Sequence, residues 1–136
     1  MKKNLLLFST LSGAFAVALG AMGAHYLKSK IETGQMTPES IQTFETAVKY
    51  QFYHTLVLIF IVLLSDRFKT ALLNYSAYCF IAGIVFFSGS LYLLSTKLLL
   101  GIENWRWLGP ITPLGGICFI SGWLFLFFSF LKKEKT

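Results

Sequence analysis

Few side chains in this sequence could take part in a reaction, and the most notable are its histidines, His25 and His54. His25 follows a run of small residues, GAMGA, and Glu45 lies in the polar stretch beyond it. If the two segments are neighbouring antiparallel helices, His25 lies level with Ala47, within a turn of Glu45, and the pair could act as acid and base. The alternative is that His25 satisfies a carbonyl group at a helix end, near the negative end of the dipole.

Other features of catalytic or metal sites are missing from the sequence. Zinc or haem would need clustered ligands; with His25 level with Ala47, His54 lies about 10 Å further along its helix, too far for the two to share a metal. Cys79 and Cys118 are expected to be packing residues, because the membrane-spanning helices predicted below place them at different depths, too far apart for a disulfide. The sequence has no phosphate-binding loop or nucleophile elbow. We therefore expect no metal site, no cofactor and no enzymatic activity.

The elements that must position these residues are predicted from the distribution of charge. Hydrophobic residues make up 55% of the chain and charged residues only 13%. A membrane-spanning helix needs about 20 apolar residues. Stretches without Lys, Arg, Asp or Glu cover residues 4–27, 50–65, 70–96 and 107–131. The second is short, but it becomes long enough if the helix begins near Ala47 and Lys49 extends its ammonium to the interface.

The predicted fold is thus all-α: a single transmembrane domain, residues 1–136, forming an integral membrane four-helix bundle. The spans are expected at about 5–27, 47–65, 71–96 and 109–131. A short amphipathic interfacial helix is expected at about 38–46, where Thr37 caps the helix, Pro38 takes its first position and apolar residues recur at helical spacing. Thr112 and Pro113 suggest a second cap and first position, at the start of helix four.

The first apolar stretch has two interpretations, a cleaved signal peptide or a retained helix. Small residues recur along one face of it at spacings of three and four, from Ser9 through Gly13, Ala16 and Gly20 to Ala24. Such a face allows close packing of membrane helices, which a signal peptide does not need, so the helix is expected to be retained. Further helix-packing glycines are expected on helices three and four: Gly83, Gly115, Gly116 and Gly122.

Polar groups at membrane depth are expected to converge on His54. Counting at about 1.5 Å per residue from the outer helix ends places it in one layer with hydroxyl groups of helices two to four. The predicted polar cluster consists of Tyr50, His54, Ser88, Ser90 and Thr112. Because an unpaired imidazole in hydrocarbon is costly, His54 should point inward, stay neutral and bond to a serine or tyrosine hydroxyl. Its role is either to fix helix register or to form a pocket for a small ligand or proton.

Taken together, the stretches GAMGAHYLK, FETAVKYQFYHTL, FFSGSLYLLS and GPITPLGGICFISGW resemble the YgdD and YwdK family of small bacterial membrane proteins. The resemblance covers nearly the whole chain. It departs from the family pattern at Gln51, where a histidine is expected, and in two longer segments, ETGQMTPES and LLGIENWRW. What it implies is a four-helix inner-membrane protein with a retained first helix and no known activity.

The function expected from these features is that of a small structural or accessory bundle. It would pack against lipid, another membrane protein or a second copy of itself. The alternatives are a subunit of a small-molecule or ion transporter with a polar pocket around His54, and an enzyme that acts on lipid through His25 and Glu45. The net charge of +6 lies on the flanks of the spans, which suits anionic headgroups and argues against nucleic acid.

Orientation follows from the basic residues in the short loops, since the side with more of them is cytoplasmic. The side that holds both termini and the second loop carries the larger set: Lys2, Lys3, Arg67, Lys69, Lys132, Lys133 and Lys135. The opposite side carries Lys28, Lys30, Lys49, Lys97 and Arg106. Both termini are therefore expected in the cytoplasm of a bacterial inner membrane, with Trp105 and Trp107 in the opposite headgroup layer.

A reporter fusion tests this orientation. Alkaline phosphatase joined after residue 136 should be inactive, because that enzyme needs an oxidising compartment to form its disulfides. A fluorescent protein joined at the same position serves as the control and should fluoresce. An active phosphatase fusion would reverse the predicted orientation.

Overall fold

The computed structural model describes residues 2–68, 71–101 and 107–131, and in these residues the regular structure is entirely helical. Four helices are long and apolar enough to cross a membrane: α1 (Lys2–Glu32), α2 (Pro38–Leu64), α3 (Ala71–Ser95) and α4 (Leu108–Leu131). One π-helical turn interrupts α1 at Gly23–Leu27 and another interrupts α3 at Ile84–Ser88. The predicted all-α, four-helix membrane fold is confirmed.

The start of α2 has the predicted capping residues. The Thr37 hydroxyl accepts a hydrogen bond of 3.2 Å from the backbone N–H of Ser40, and Pro38 takes the first helical position. The segment predicted to be an amphipathic helix forms the first turns of α2 without a break. Ile41 and Phe44 are buried there against Leu27 of α1 and other apolar residues, so the apolar stripe covers α1.

The start of α4 differs from the prediction. The helix begins at Leu108, so Thr112 is not its cap and Pro113 lies inside it. An early start is possible because the first backbone N–H groups of a helix have no intrahelical partner, and Pro110 removes only one of these. The Thr112 hydroxyl is thereby free to bond to α3, at 2.7 Å from the hydroxyl of Ser90. Trp105, predicted to lie with Trp107 in the headgroup layer before this helix, falls outside the described residues.

The helices pack as successive neighbours. α1 lies on α2, α2 lies mainly on the second half of α3, and α3 lies along α4. Among the described residues, no two Cα atoms of α1 and α3 lie within 8 Å of each other. At one end of the molecule Lys2 forms an ion pair with Asp66, which places the start of α1 beside the loop after α2.

Phenylalanine rings pack against glycines in both directions between α3 and α4. A Cβ atom on Gly83 of α3 would lie 2.3 Å from the ring of Phe119, and one on Gly122 of α4 would lie 2.8 Å from the ring of Phe80. Each helix thus contributes a ring and, three residues further on, the glycine that accommodates the partner's ring. The Ser76 hydroxyl donates a 2.8 Å hydrogen bond to the Gly122 carbonyl and joins the same two helices.

The glycines predicted for helix packing fall into two groups. Gly83, Gly115 and Gly122 leave no room for a side chain; a Cβ on Gly115 would lie 2.2 Å from the backbone nitrogen of Phe87, in the π turn of α3. The other three are less tightly packed, with nearest atoms 3.4 to 3.9 Å from a Cβ: Gly13, Gly20 and Gly116. Absence of a side chain is therefore a strict requirement at three positions between α3 and α4, and a looser one at Gly116 and between α1 and α2.

Alanine substitutions in α3 and α4 should separate these requirements. Gly115→Ala forces the Phe87 backbone to move and should lower the free energy of unfolding by about 1–3 kcal/mol. Gly89→Ala is the matched control, because nothing lies within 4 Å of its Cβ position. It should leave stability unchanged or raise it by up to about 1 kcal/mol. Circular dichroism during titration with dodecyl sulfate measures the stability of both variants. If the two substitutions had equal effects, the close approach of Gly115 to the Phe87 backbone would be disproved.

Candidate functional site

His54 is buried, with 6% of its surface exposed, and both of its ring nitrogens have partners. Nδ1 lies 2.7 Å from the Tyr50 carbonyl oxygen, one turn earlier in α2. A carbonyl can only accept, so Nδ1 carries the proton. Nε2 accepts a 3.3 Å hydrogen bond from the indole N–H of Trp123 in α4. The imidazole is therefore neutral and joins α2 to α4.

Aromatic rings surround this imidazole. Phe119 stacks on it, with ring centroids 3.6 Å apart and planes inclined by 9°. The Phe80 ring lies at 5.3 Å and the Tyr50 ring at 5.9 Å. Because Phe80 and Phe119 are also the rings held against the glycines of α3 and α4, the position of His54 depends on that packing. It points inward and is neutral, as expected.

The predicted partner of His54, however, is wrong. Its hydrogen bonds run to a backbone carbonyl and an indole, and to no hydroxyl group in the described residues. The physical reason is that aromatic side chains fill the space beside the ring. Trp123 reaches His54 from α4, and the Phe119 ring covers one of its faces.

Two further members of the predicted cluster, Ser90 and Thr112, form a separate contact between α3 and α4. The hydroxyls of Ser90 and Thr112 are 2.7 Å apart, and Ser90 also donates to the Phe87 carbonyl in the π turn at 3.0 Å. Ser88 is fully buried, and its hydroxyl has no hydrogen-bond partner among the described residues. Phe87, whose ring lies 4.7 Å from that of Tyr50, stands between the two groups.

A polar network that the sequence did not predict lies between α1, α2 and α3. Gln51 of α2 donates from its amide nitrogen to the Ser12 carbonyl at 3.0 Å and accepts from the Tyr92 hydroxyl at 2.7 Å. The hydroxyls of Ser12 and Thr55 are 2.8 Å apart. Gln51 thus bridges α1 and α3 at the position where the family resemblance predicts histidine. A signal was present in the sequence: Gln51 and Thr55 are four residues apart, on one helix face, inside an uncharged run.

The predicted pair of His25 and Glu45 does not form. Glu45 instead lies 3.6 Å from the ammonium of Lys28, and the His25 side chain is exposed. Gly23 packs against Phe44, and α1 and α2 are antiparallel. His25 therefore lies closer to the start of α2 than the predicted level of Ala47. Lys28, with its longer side chain, reaches back to the carboxylate. In the structure the acid and base required for a lipid-acting enzyme are therefore not in contact.

Metal ligands do not cluster in the described part of the chain, where no group of three or more His, Cys, Asp or Glu side chains could hold an ion. Cys79 and Cys118 are free thiols, each half-buried.

Four apolar helices joined by internal polar contacts define a multi-pass α-helical membrane protein. Comparison with known proteins identifies the family. Residues 19–116 match the family described as protein of unknown function, DUF423. The chain belongs to this family of uncharacterised membrane proteins, which confirms the resemblance seen in the sequence.

Similar proteins occur across distant bacteria. The chain is 38% identical to a UPF0382 membrane protein of Staphylococcus haemolyticus, over 96% of this chain and 97% of the relative. It is 36% identical to the UPF0382 membrane protein YwdK of Bacillus subtilis, over 96% and 98%. It is 30% identical to the UPF0382 inner membrane protein YgdD of Escherichia coli, over 96% and 92%. No solved structure matches the chain significantly.

A double-mutant cycle tests the Gln51 network. Tyr92→Phe and Gln51→Leu each remove the bond between these side chains, so their effects on the free energy of unfolding should be less than additive. The expected coupling is about 0.6 kcal/mol and at most about 1.7 kcal/mol, the range found for hydrogen bonds between membrane helices.

The control for this cycle is Tyr53→Phe, on the exposed side of α2. Tyr53 is 57% exposed and its hydroxyl has no hydrogen bond among the described residues, so its change should not couple to Gln51→Leu. If the effects of Tyr92→Phe and Gln51→Leu on the free energy of unfolding were also strictly additive, the network would contribute nothing to stability.

Proposed function

We propose that this protein is a non-enzymatic accessory bundle that packs against another membrane protein in the bacterial inner membrane, with both termini in the cytoplasm. The observation that supports this most directly is the use of its buried polar groups. Apart from the Ser88 hydroxyl, every buried side-chain nitrogen and oxygen in the described residues has a hydrogen-bond partner. The bonds that run between helices, such as those of Gln51, Ser76 and His54, fix helix register, and few buried polar groups are left to bind a substrate.

The transporter alternative has less support. A proton or ligand site at His54 would need a ring nitrogen open to a cavity, whereas both are bonded and Phe119 covers one face of the ring. The lipid-enzyme alternative also has less support, because Glu45 pairs with Lys28.

The surface best suited to a partner is the aromatic face between α2 and α4, defined by Tyr50 and Trp123. Tyr50 is 40% exposed and Trp123 is 49% exposed, although both contact the buried His54. The Tyr50 hydroxyl has no hydrogen-bond partner within the described residues. Large aromatic residues that pack on a buried side chain and carry a polar group without a partner are the kind that dominate protein interfaces.

Site-specific photocrosslinking in native membranes tests this proposal. A photoreactive phenylalanine at Tyr50 should crosslink in high yield to one protein of defined mass. The same group at Leu11, which is 60% exposed on α1, is the matched control and should yield only lipid adducts.

Two further results are required. The crosslinked protein must co-purify with the untreated chain when either one carries the tag, and Trp123→Ala should reduce the Tyr50 crosslink. Lipid adducts alone at Tyr50, or the same set of proteins from Tyr50 and Leu11, would contradict the accessory function.

A further inference from the structure

A half-open groove of about 460 Å³ lies between α1 and α3, at the end of the molecule where Lys2 pairs with Asp66. It exists because both helices pack on α2 and do not approach each other. Phe8, Tyr78 and Ile81 form much of its apolar wall. In a membrane such a groove faces lipid or another protein, so its chemistry must suit one of them.

Two carboxamides line the part of the groove nearest this end, Asn4 from α1 and Asn74 from α3. Neither has a hydrogen-bond partner among the described residues; Asn4 is exposed, whereas Asn74 is half-buried. A half-buried amide without a partner near hydrocarbon is costly, which implies that an outside group bonds to Asn74. Carboxamide N–H groups suit the ester and phosphate oxygens of a glycerophospholipid, which lie at this level of a bilayer.

The charge at this end favours an anionic headgroup. Lys2, Lys3 and Arg67 outnumber Asp66 among the charged side chains in the described residues here. Lys3 and Arg67 are exposed and have no ion-pair partner there. Basic residues next to a membrane surface attract anionic lipids.

The shape of the groove distinguishes a lipid from a second copy of the chain. The groove occupies the first turns of both helices, from Asn4 to Phe8 and from Asn74 to Ile81, which is about 10 Å along α3. A partner helix would need a contact surface across much of the membrane, and small residues to approach closely. This groove is short and bordered by large side chains, which suits a flexible acyl chain.

We propose that the groove between α1 and α3 binds one anionic glycerophospholipid. One acyl chain lies along Phe8, Tyr78 and Ile81. The glycerol and phosphate oxygens accept hydrogen bonds from Asn4 and Asn74. The negative charge lies near Lys3 and Arg67.

Native mass spectrometry of the purified full chain tests this proposal, with phosphatidylglycerol and phosphatidylcholine of identical acyl chains as probes. One phosphatidylglycerol should be retained per chain, in preference to phosphatidylcholine by about fivefold for each basic residue that contributes. Lys3→Gln should lower this preference by about fivefold. The double variant Asn4→Leu/Asn74→Leu should abolish retention of both lipids.

A groove-filling variant provides an independent measurement. Ile81→Trp should displace the lipid, whereas Leu7→Trp, at a site 58% exposed and outside the groove, should not. Dodecyl sulfate titration verifies that each variant is folded. The proposal would be overturned if the two lipids were retained equally or if the asparagine changes left retention unaffected. It would also be overturned if the chain formed a dimer without bound lipid and Ile81→Trp dissociated that dimer.

Discussion

Membrane helices are not pressed together by the hydrophobic effect, because lipid is as apolar as their side chains; they must be held by close packing and internal hydrogen bonds. In this protein the closest packing lies between α3 and α4, where Phe80 packs on Gly122, Phe119 packs on Gly83, and Gly115 packs on the Phe87 backbone. It sets the separation of α3 and α4 and holds the two rings that contact His54. A side chain at Gly83 or Gly122 would displace the rings that position His54.

Polar side chains then join the remaining helices. Gln51 connects α1, α2 and α3, while His54 connects α2 to α4 through Trp123. These residues are three positions apart on α2 and reach different neighbours, so a single turn of α2 fixes its register against the other three helices. A histidine at position 51, as the family pattern predicts, would face the same Ser12 and Tyr92 groups with a shorter and more rigid side chain.

The ends of the molecule differ in chemistry. Near the start of α1 a groove separates α1 from α3; it is lined by two carboxamides that have no hydrogen-bond partner among the described residues, and basic residues lie at the same end. At the other end, Leu27, Met36, Ile41 and Phe44 form a compact apolar cluster beside the Lys28 and Glu45 pair. The face between α2 and α4 exposes Tyr50 and Trp123 over a buried imidazole. A rigid interior thus supports two surfaces of different chemistry, one of which we propose binds a lipid and the other a protein.

The sequence by itself determined the number of helices, the Thr37 cap and the inward direction of His54, because these follow from uncharged runs, local hydrogen bonding and the cost of burying polarity. Tertiary structure decided which groups meet. Trp123 is the partner of His54, Lys28 is the partner of Glu45, and Gln51 bridges two helices. Such contacts depend on register and on π turns, such as the one at Ile84–Ser88 where Gly115 meets Phe87. A displacement of one turn, about 5.4 Å, exchanges one partner for another without changing the hydrophobic pattern from which the spans are read.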